Sequence, residues 1–337
     1  MASTASIFLT HPPEALSVYY GEKTLSELKK LGKVQTNPLN RELTTRELIH
    51  YTRGCGLIIS YRQTPGDAEL FANAPDLIAF LRCAIDIRSI DVEAASANGI
   101  LVTRAKPHFT VSTAEMALAL MLDVARNVTC SAVEYRLNRE PGPRMGRQLS
   151  GSTIGVVGYG RIGSYLCDVA LALGMNVLVY DPYVSVQKEA IRQVEFEKLL
   201  AEADFILPLA PATEETENLF DEKAFDRMKP SAFFINVSRG NLVDEEALER
   251  TLQERRIAGA AMDVGRAEDQ KPSLRLARRE DVVATPHLGG ATPESALGQA
   301  MDTVEQAAAI LRGQVPEGAV NADRASRMER FKKSSTP

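Results

Sequence analysis

Two side chains have the types needed to hold an acid and move a proton. Arg239 stands in Asn236-Val237-Ser238-Arg239-Gly240, just after an apolar, strand-like run. A planar guanidinium grips a carboxylate with two parallel hydrogen bonds; a salt bridge at the surface would use the same group. His287 stands in Thr285-Pro286-His287-Leu288-Gly289-Gly290, again at the end of an apolar run. An imidazole exchanges protons near neutral pH, and the glycines beside it let another molecule come close. A loop histidine satisfied by backbone would fit the position equally well. Asp263 ends the run Gly259-Ala260-Ala261-Met262, and Glu268 follows on the same loop. An acid beside His287 would help it hold a proton. The other histidines, of four in all, carry weaker signals. His11 and His50 read as surface residues, and His108 as part of a loop between two halves.

These groups need a scaffold that brings strand ends together, and the centre of the chain supplies its signature. Thr153–Val157 is a short apolar run, followed by Gly158-Tyr159-Gly160-Arg161-Ile162-Gly163 and a helical pattern through Tyr165, Leu166, Val169 and Leu173. A second apolar run, Val177 to Tyr180, ends in Asp181. Gly158 suits a tight turn, Gly160 lets backbone approach a pyrophosphate, and Gly163 lets the helix pack on the strand. Free N–H groups at the helix start face the phosphates. Asp181 lies where a carboxylate would accept hydrogen bonds from the ribose hydroxyls and repel a 2′-phosphate. Pro182 and Tyr183 follow, with no arginine to hold such a phosphate. The cofactor expected is NAD(H).

Strand-like and helical segments alternate along most of the chain, which argues for parallel sheets covered by helices. Strands are expected at Ser6 to Thr10, Gly56 to Ser60 and Gly99 to Val102, then at Asp204 to Leu209, Ala232 to Val237, Ala258 to Val264 and Val282 to Thr285. Ala114 to Val128 is apolar on nearly every face and reads as a buried helix, with Ser112 or Thr113 able to cap it. Residues 138–149 read as a connecting loop, Pro293 to Leu311 as a long helix, and 322–337 as a polar, frayed tail.

A length of 337 residues allows two domains, and 45% hydrophobic with 25% charged residues is ordinary for a globular protein. The net charge of −5 gives no general attraction to nucleic acid or acidic membranes. No run approaches the roughly 20 apolar residues that span a bilayer, and the N-terminus lacks signal-peptide features. A cytoplasmic protein is expected, without nucleic-acid or membrane partners. Cys55, Cys83, Cys130 and Cys167 are scattered and form no metal-ligand pair, so no metal is expected.

Taken in order, the segments 158–163, Tyr180-Asp181-Pro182-Tyr183, 236–240, Met262-Asp263-Val264 and 285–290 resemble the NAD-dependent D-isomer-specific 2-hydroxyacid dehydrogenases. Weaker similarity runs from about 76 to 128 and over Gly313 to Asn321. The resemblance implies an α/β fold of two Rossmann-like lobes with parallel sheets and an active-site cleft between them. It implies a discontinuous catalytic domain, 1–105 with 291–337, and an NAD-binding domain, 106–290. The activity implied is interconversion of a 2-keto acid and a D-2-hydroxy acid by a homodimer. Arg239 would hold the substrate carboxylate, His287 would exchange the proton, and Glu268 would support the histidine. Gly158, Gly160, Arg161, Ile162, Gly163, Asp181 and Gly290 would contact the cofactor. Ala210 and Pro211 would flank its adenine side, Val237 and Ser238 would line its nicotinamide side, and Asp263 would meet the carboxamide.

Two segments depart from the family pattern. The family often has an aromatic residue after Asp-Val and a proline after the glutamate; here the run is Gly265-Arg266-Ala267-Glu268-Asp269, which makes Asp269 a second candidate to support His287. The glycine-rich substrate turn is replaced by a run that includes Ile85, Asp86 and Arg88. With Arg62, Arg104 and His108 these residues suggest a polar or doubly anionic 2-keto acid, although the arginines could equally serve internal salt bridges. Formate or phosphite dehydrogenation, and NAD(H) sensing without catalysis, are the alternatives on the same scaffold. The carboxylate at position 181 predicts a much higher kcat/KM with NAD(H) than with NADP(H); equal values in a spectrophotometric assay would contradict that reading.

Overall fold

Short apolar runs become parallel strands because both faces of such a sheet are covered and every residue of a strand is buried. In the computed structural model, which describes residues 6–332, twelve strands form two sheets. The first holds β1 (Ser6–Leu9), β2 (Lys33–Thr36), β3 (Leu57–Ser60), β4 (Ala79–Arg82) and β5 (Leu101–Arg104), in the order β2-β1-β3-β4-β5. The second holds β6 (Thr153–Val157), β7 (Asn176–Tyr180), β8 (Ile191–Gln193), β9 (Phe205–Pro208), β10 (Phe233–Asn236), β11 (Gly259–Met262) and β12 (Val282–Ala284), in the order β12-β11-β10-β9-β6-β7-β8. All pairings are parallel. The expected α/β class with two parallel sheets is therefore what the chain adopts.

The chain forms two compact units. One takes the described residues up to His108 and those from Thr292 on; the other is Phe109–Ala291.

In the first unit the Pro293–Leu311 helix lies where its pattern placed it, and buries Ala300, Ala307 and Ile310 among Ile7, Leu57 and Leu101. Its polar residues tie distant segments together. Tyr20 and Thr303 share a hydrogen bond of 3.0 Å, Thr103 and Gln306 one of 2.7 Å. The tail is not frayed over residues 322–332. Arg327 donates to the carbonyls of Ala74 and Leu77, both at 2.7 Å, and Met328 is buried. Those backbone acceptors lie some 250 residues away in sequence, so no local pattern could announce the contact. Residues 333–337 of the expected tail lie outside the described residues.

In the second unit the buried helix runs Thr110–Arg126 and starts before its expected caps. Ser112 and Thr113 lie inside it, buried, and Phe109 stands at the cap position without a side-chain cap. Asn127, at φ 55, turns the chain into a further helix, Val128–Arg136, that periodicity did not indicate.

His11 corrects the sequence reading most sharply. It follows β1 and is 1% exposed, with its ring between Tyr20 (5.3 Å) and Tyr61 (5.1 Å). Neither ring nitrogen has a hydrogen-bond partner among the described residues. Burial, reinforced by the charge of Arg82, pushes its pKa down from 6.5 to about 3. Arg82 is itself fully buried, where its guanidinium donates to the carbonyls of Tyr61, Arg62 (2.7 Å) and Thr64 (2.9 Å). An unfolded chain therefore binds a proton at His11 that the folded chain refuses between pH 6.5 and about 3. Stability contributed here is complete above that window and falls as pH drops through it, by up to about 1.4 kcal/mol per pH unit. His11→Phe is expected to flatten that part of the stability–pH curve, measured by urea unfolding from pH 7 to 4. Parallel curves for the two proteins would show that His11 does not set the slope.

Candidate active site

The residues singled out in the second unit lie on one edge of the seven-stranded sheet. In parallel strands every carboxyl end points the same way, and ligands bind outside those ends where the strand order reverses. The reversal here is at β6, with β7 on one side and β9 on the other. Gly158 follows β6, Asp181 follows β7, Ala210 and Pro211 follow β9, Val237 to Arg239 follow β10, Asp263 follows β11 and His287 follows β12.

The glycine turn is fixed by close approach. Gly158 has φ +104, and a Cβ there would lie 2.6 Å from the backbone nitrogen of Ala210. A Cβ on Gly163 would lie 2.2 Å from the carbonyl oxygen of Gly158. Gly160 differs, because a Cβ there would meet nothing within 4 Å. The fold does not need a glycine at 160; a ligand lying against the backbone would. Gly160 also caps the Arg161–Ala172 helix without any side-chain hydrogen bond, so no side chain covers the first N–H groups. Ile162 packs its side chain on the core behind the turn. Asp181 accepts from the N–H of Tyr159 (2.7 Å) on one oxygen and from those of Tyr183 (2.9 Å) and Val184 (3.0 Å) on the other. A carboxylate has about four acceptor positions, which leaves room for a hydroxyl. Gln193, not foreseen, braces this loop through the carbonyls of Asp181 and Val184.

Asn236 organises the arginine. It is fully buried at the end of β10, its oxygen accepts from Ser238 N (3.0 Å) and its amide donates to Arg239 O (3.0 Å). Arg239 is half-buried, with one guanidinium nitrogen on its neighbour's carbonyl, Ser238 O, at 2.7 Å. Ser238 reaches Ala210 O at 3.2 Å, and Val237 is buried. Gly240 lies directly against Gly265, since a Cβ on Gly240 would sit 2.2 Å from the Gly265 carbonyl. The arginine loop and the acid loop are thus in backbone contact. A polar residue closing an apolar strand is the one sequence signal that could have singled out Asn236.

Asp263 organises the histidine. It is fully buried, and one carboxylate oxygen accepts from Thr285 Oγ1 (2.6 Å) and Leu288 N (2.7 Å), the other from Gly289 N (2.7 Å). Its main-chain carbonyl accepts from His287 N at 2.9 Å. His287 has φ 61, an uncommon conformation for a residue other than glycine, and these bonds enforce it. The imidazole Nδ1 lies 2.9 Å from the carbonyl oxygen of Asp269. Glu268 is exposed, and its carboxylate has no hydrogen bond among the described residues. Gly290 packs near Phe109.

The residues expected to favour a doubly anionic substrate are partly engaged inside the first unit. Arg88 is paired with Asp86 at 2.6 Å, and His108 with Asp302 at 2.9 Å. Arg62 is exposed after β3, and its carbonyl accepts from Arg82. Ile85 is half-buried after β4.

The model of the D-isomer specific 2-hydroxyacid dehydrogenase NAD-binding domain matches residues 118–289. The D-3-phosphoglycerate dehydrogenase of Archaeoglobus fulgidus is 35% identical over 307 residues, 89% of this chain and 57% of the relative. The glyoxylate reductase of Korarchaeum cryptofilum is 35% identical over 287 residues, 82% of this chain and 86% of that protein. The chain belongs to the D-isomer specific 2-hydroxyacid dehydrogenase family. Among solved structures, a Thermus thermophilus protein is 32% identical, with a TM-score of 0.82 over 94% of this chain and 99% of its own. The chain spans little more than half the length of the Archaeoglobus dehydrogenase. The 118–289 match to an NAD-binding domain lies within the Phe109–Ala291 unit. The open backbone at Gly160, the uncapped helix start and the remaining acceptor capacity of Asp181 fit that cofactor.

Asp263→Asn keeps the shape of the side chain, but whichever oxygen becomes the N–H₂ group then faces a backbone N–H, that of Leu288 or of Gly289. Stranding one buried donor costs about 1–3 kcal/mol, so a urea midpoint lowered to match is expected, with faster amide exchange at Leu288 and Gly289. Unchanged exchange at both amides would remove Asp263 from this role.

Proposed function

We propose that the chain is an NAD-dependent oxidoreductase that interconverts a 2-keto acid and a D-2-hydroxy acid. The observation that carries this reading is the placement of Arg239 and His287 after β10 and β12, on either side of the strand whose terminal Asp263 holds the histidine loop. The Arg239 guanidinium holds the substrate carboxylate by paired N–H donors and polarises the neighbouring carbonyl oxygen. Bound NADH supplies a hydride to the carbonyl carbon. His287 delivers a proton to the carbonyl oxygen, giving the hydroxyl, and recovers it in the oxidative direction. Gly158, Gly160, Arg161, Ile162 and Gly163 hold the pyrophosphate side of the cofactor and Asp181 its ribose. Ala210 and Pro211 lie on the adenine side; Val237, Ser238 and Gly290 lie on the nicotinamide side. Asp263 acts here through the histidine loop.

The unit built on β1–β5 is assigned to substrate recognition, with Arg62 and Ile85 in its strand-end loops. Arg88 and His108 already have acidic partners, which weakens the support they give to a doubly anionic substrate. Glyoxylate, the substrate in the name of one relative, and the keto acid of 3-phosphoglycerate, named in another, are the first compounds to compare.

Among the described residues no single helix is long and apolar enough to cross a membrane, although the Thr110–Arg126 and Val128–Arg136 pair, bent by 68°, passes that test jointly. The burial of the first helix's apolar side favours a cytoplasmic protein. Exposed Leu122, Val128, Val133, Tyr135 and Leu137 on this pair favour a homodimer formed through the NAD-binding domain.

NADH oxidation with glyoxylate, pyruvate, hydroxypyruvate and phosphorylated keto acids, and NAD reduction with formate and phosphite, test the reading directly. Turnover of a keto acid is expected, falling about 10²–10⁴-fold in His287→Gln, with NADH affinity unchanged. Turnover confined to formate or phosphite, or NADH binding with no turnover of any compound, would favour the alternatives.

A further inference from the structure

The chain that follows β7 directs its donors inward. The N–H groups of Tyr183 and Val184 both go to Asp181 Oδ1, at 2.9 and 3.0 Å. That of Val186 goes to Gln193 Oε1 at 3.0 Å, while Gln193 Nε2 returns to the carbonyls of Asp181 (2.9 Å) and Val184 (2.8 Å). The Tyr183 side chain is exposed, yet its hydroxyl is taken too: it donates to Glu215 Oε2 at 2.5 Å. That bond, with the charges of Glu215 and Asp181, holds the phenol above the usual tyrosine range, so it stays a donor at neutral pH.

Glu215 is held where it stands. It lies in the short turn Glu214–Thr216, closed by Thr213 N on Thr216 Oγ1 (2.8 Å) and by that hydroxyl on the carbonyl of Pro211 (2.7 Å). Pro211 follows β9, and β9 and β7 flank β6. The Tyr183–Glu215 bond therefore joins the loops on either side of the glycine turn. Two cations further along, Lys188 and Arg192, are already paired with Asp168 (2.8 Å) and Glu202 (3.3 Å).

In a dinucleotide fold the acid that closes the second strand takes the ribose hydroxyls, and a 2′-phosphate, where one is bound, is accommodated by an arginine nearby. We infer that Glu215 is a further specificity-determining residue for the cofactor: tied to Tyr183, its carboxylate is a second barrier, beside Asp181, to a dinucleotide that carries a 2′-phosphate. Such a phosphate meets two negative charges separated by one tyrosine side chain, and a turn whose N–H groups and phenol hydrogen are already used. A free 2′-hydroxyl carries no charge and is not repelled. Tyr183 is a positioning residue that keeps the Glu215 carboxylate over the turn. The inference rests on the ribose lying at Asp181, as proposed above, and not on the roles of Arg239 and His287, so nucleotide binding alone tests it.

Dissociation constants for NADH and NADPH are read from nucleotide fluorescence on titrating the intact protein, with no keto acid present. Glu215→Gln removes the charge, keeps the shape and releases the phenol. It is expected to tighten NADPH about fivefold and to leave NADH unchanged. Raising the salt from about 0.05 to about 0.5 M should narrow the difference between this variant and the unaltered protein, because exposed charges are screened. Tyr183→Phe keeps the carboxylate but frees it to move, and should tighten NADPH by a smaller factor, about twofold. Glu214→Gln, one residue away and not bonded to Tyr183, should leave the NADH-to-NADPH preference unaltered. NADH binding in each variant also shows that it is folded. An unchanged preference in Glu215→Gln would overturn the inference. So would an equal change for both nucleotides, which would make Glu215 a brace of the loop, or the same shift in Glu214→Gln. Binding of neither nucleotide by the unaltered protein would sink the cofactor placement as well. The expected shift, in a protein that turns over no keto acid, would uphold the inference and refute the proposed function.

Discussion

The buried carboxylate of Asp263 is the joint on which the site depends. Desolvating a charged carboxylate is costly unless its acceptor positions are filled. Here they are filled by the hydroxyl of Thr285 and the N–H groups of Leu288 and Gly289. The cost of burying the charge is offset only when the 285–289 loop is in one place, so the electrostatics enforce the geometry. His287 is held inside that loop at a positive φ it would not choose alone. Asn236 does the corresponding work one strand away, where a neutral amide fixes Ser238 and Arg239.

Backbone contact joins these anchors. Gly240 and Gly265 touch, and Arg266 fastens the loop that meets the imidazole. Arginine, acid loop and histidine therefore belong to one connected piece of structure, borne on the adjacent strands β10, β11 and β12. Such a piece would suit the roles proposed for Arg239 and His287, which require fixed relative positions. The cofactor side follows the same principle with different means. At Gly158 and Gly163 the absence of a Cβ is required by the protein's own packing, and at Gly160 by space left open over the backbone.

Much of this was legible in the sequence where signals are local. The strands of the sheet centres are continuous apolar runs, and β3, β6, β9 and β11 were found at nearly their observed bounds. The edge strands β2 and β8, Lys33–Thr36 and Ile191–Gln193, were missed because a strand exposed at an edge carries polar residues and loses the pattern. The expected caps Ser112 and Thr113 lie inside their helix, which starts at Thr110 with no capping side chain. His11 was read as a surface residue after the first strand; aromatic rings from two other segments enclose it.

By itself the sequence determined the α/β class, the dinucleotide turn with its terminal aspartate, and the residue types after each central strand. These follow from short-range rules: glycine spacing, apolar runs and the residue at a strand end. Tertiary structure alone decided what those residues touch. Asp263 faces its own chain, Arg88 and His108 pair with acids, and the histidine meets a carbonyl and not the neighbouring glutamate. The physical reason is that hydrogen-bond partners are fixed by backbone conformation and by segments remote in sequence, and neither leaves a mark in the local order of residues.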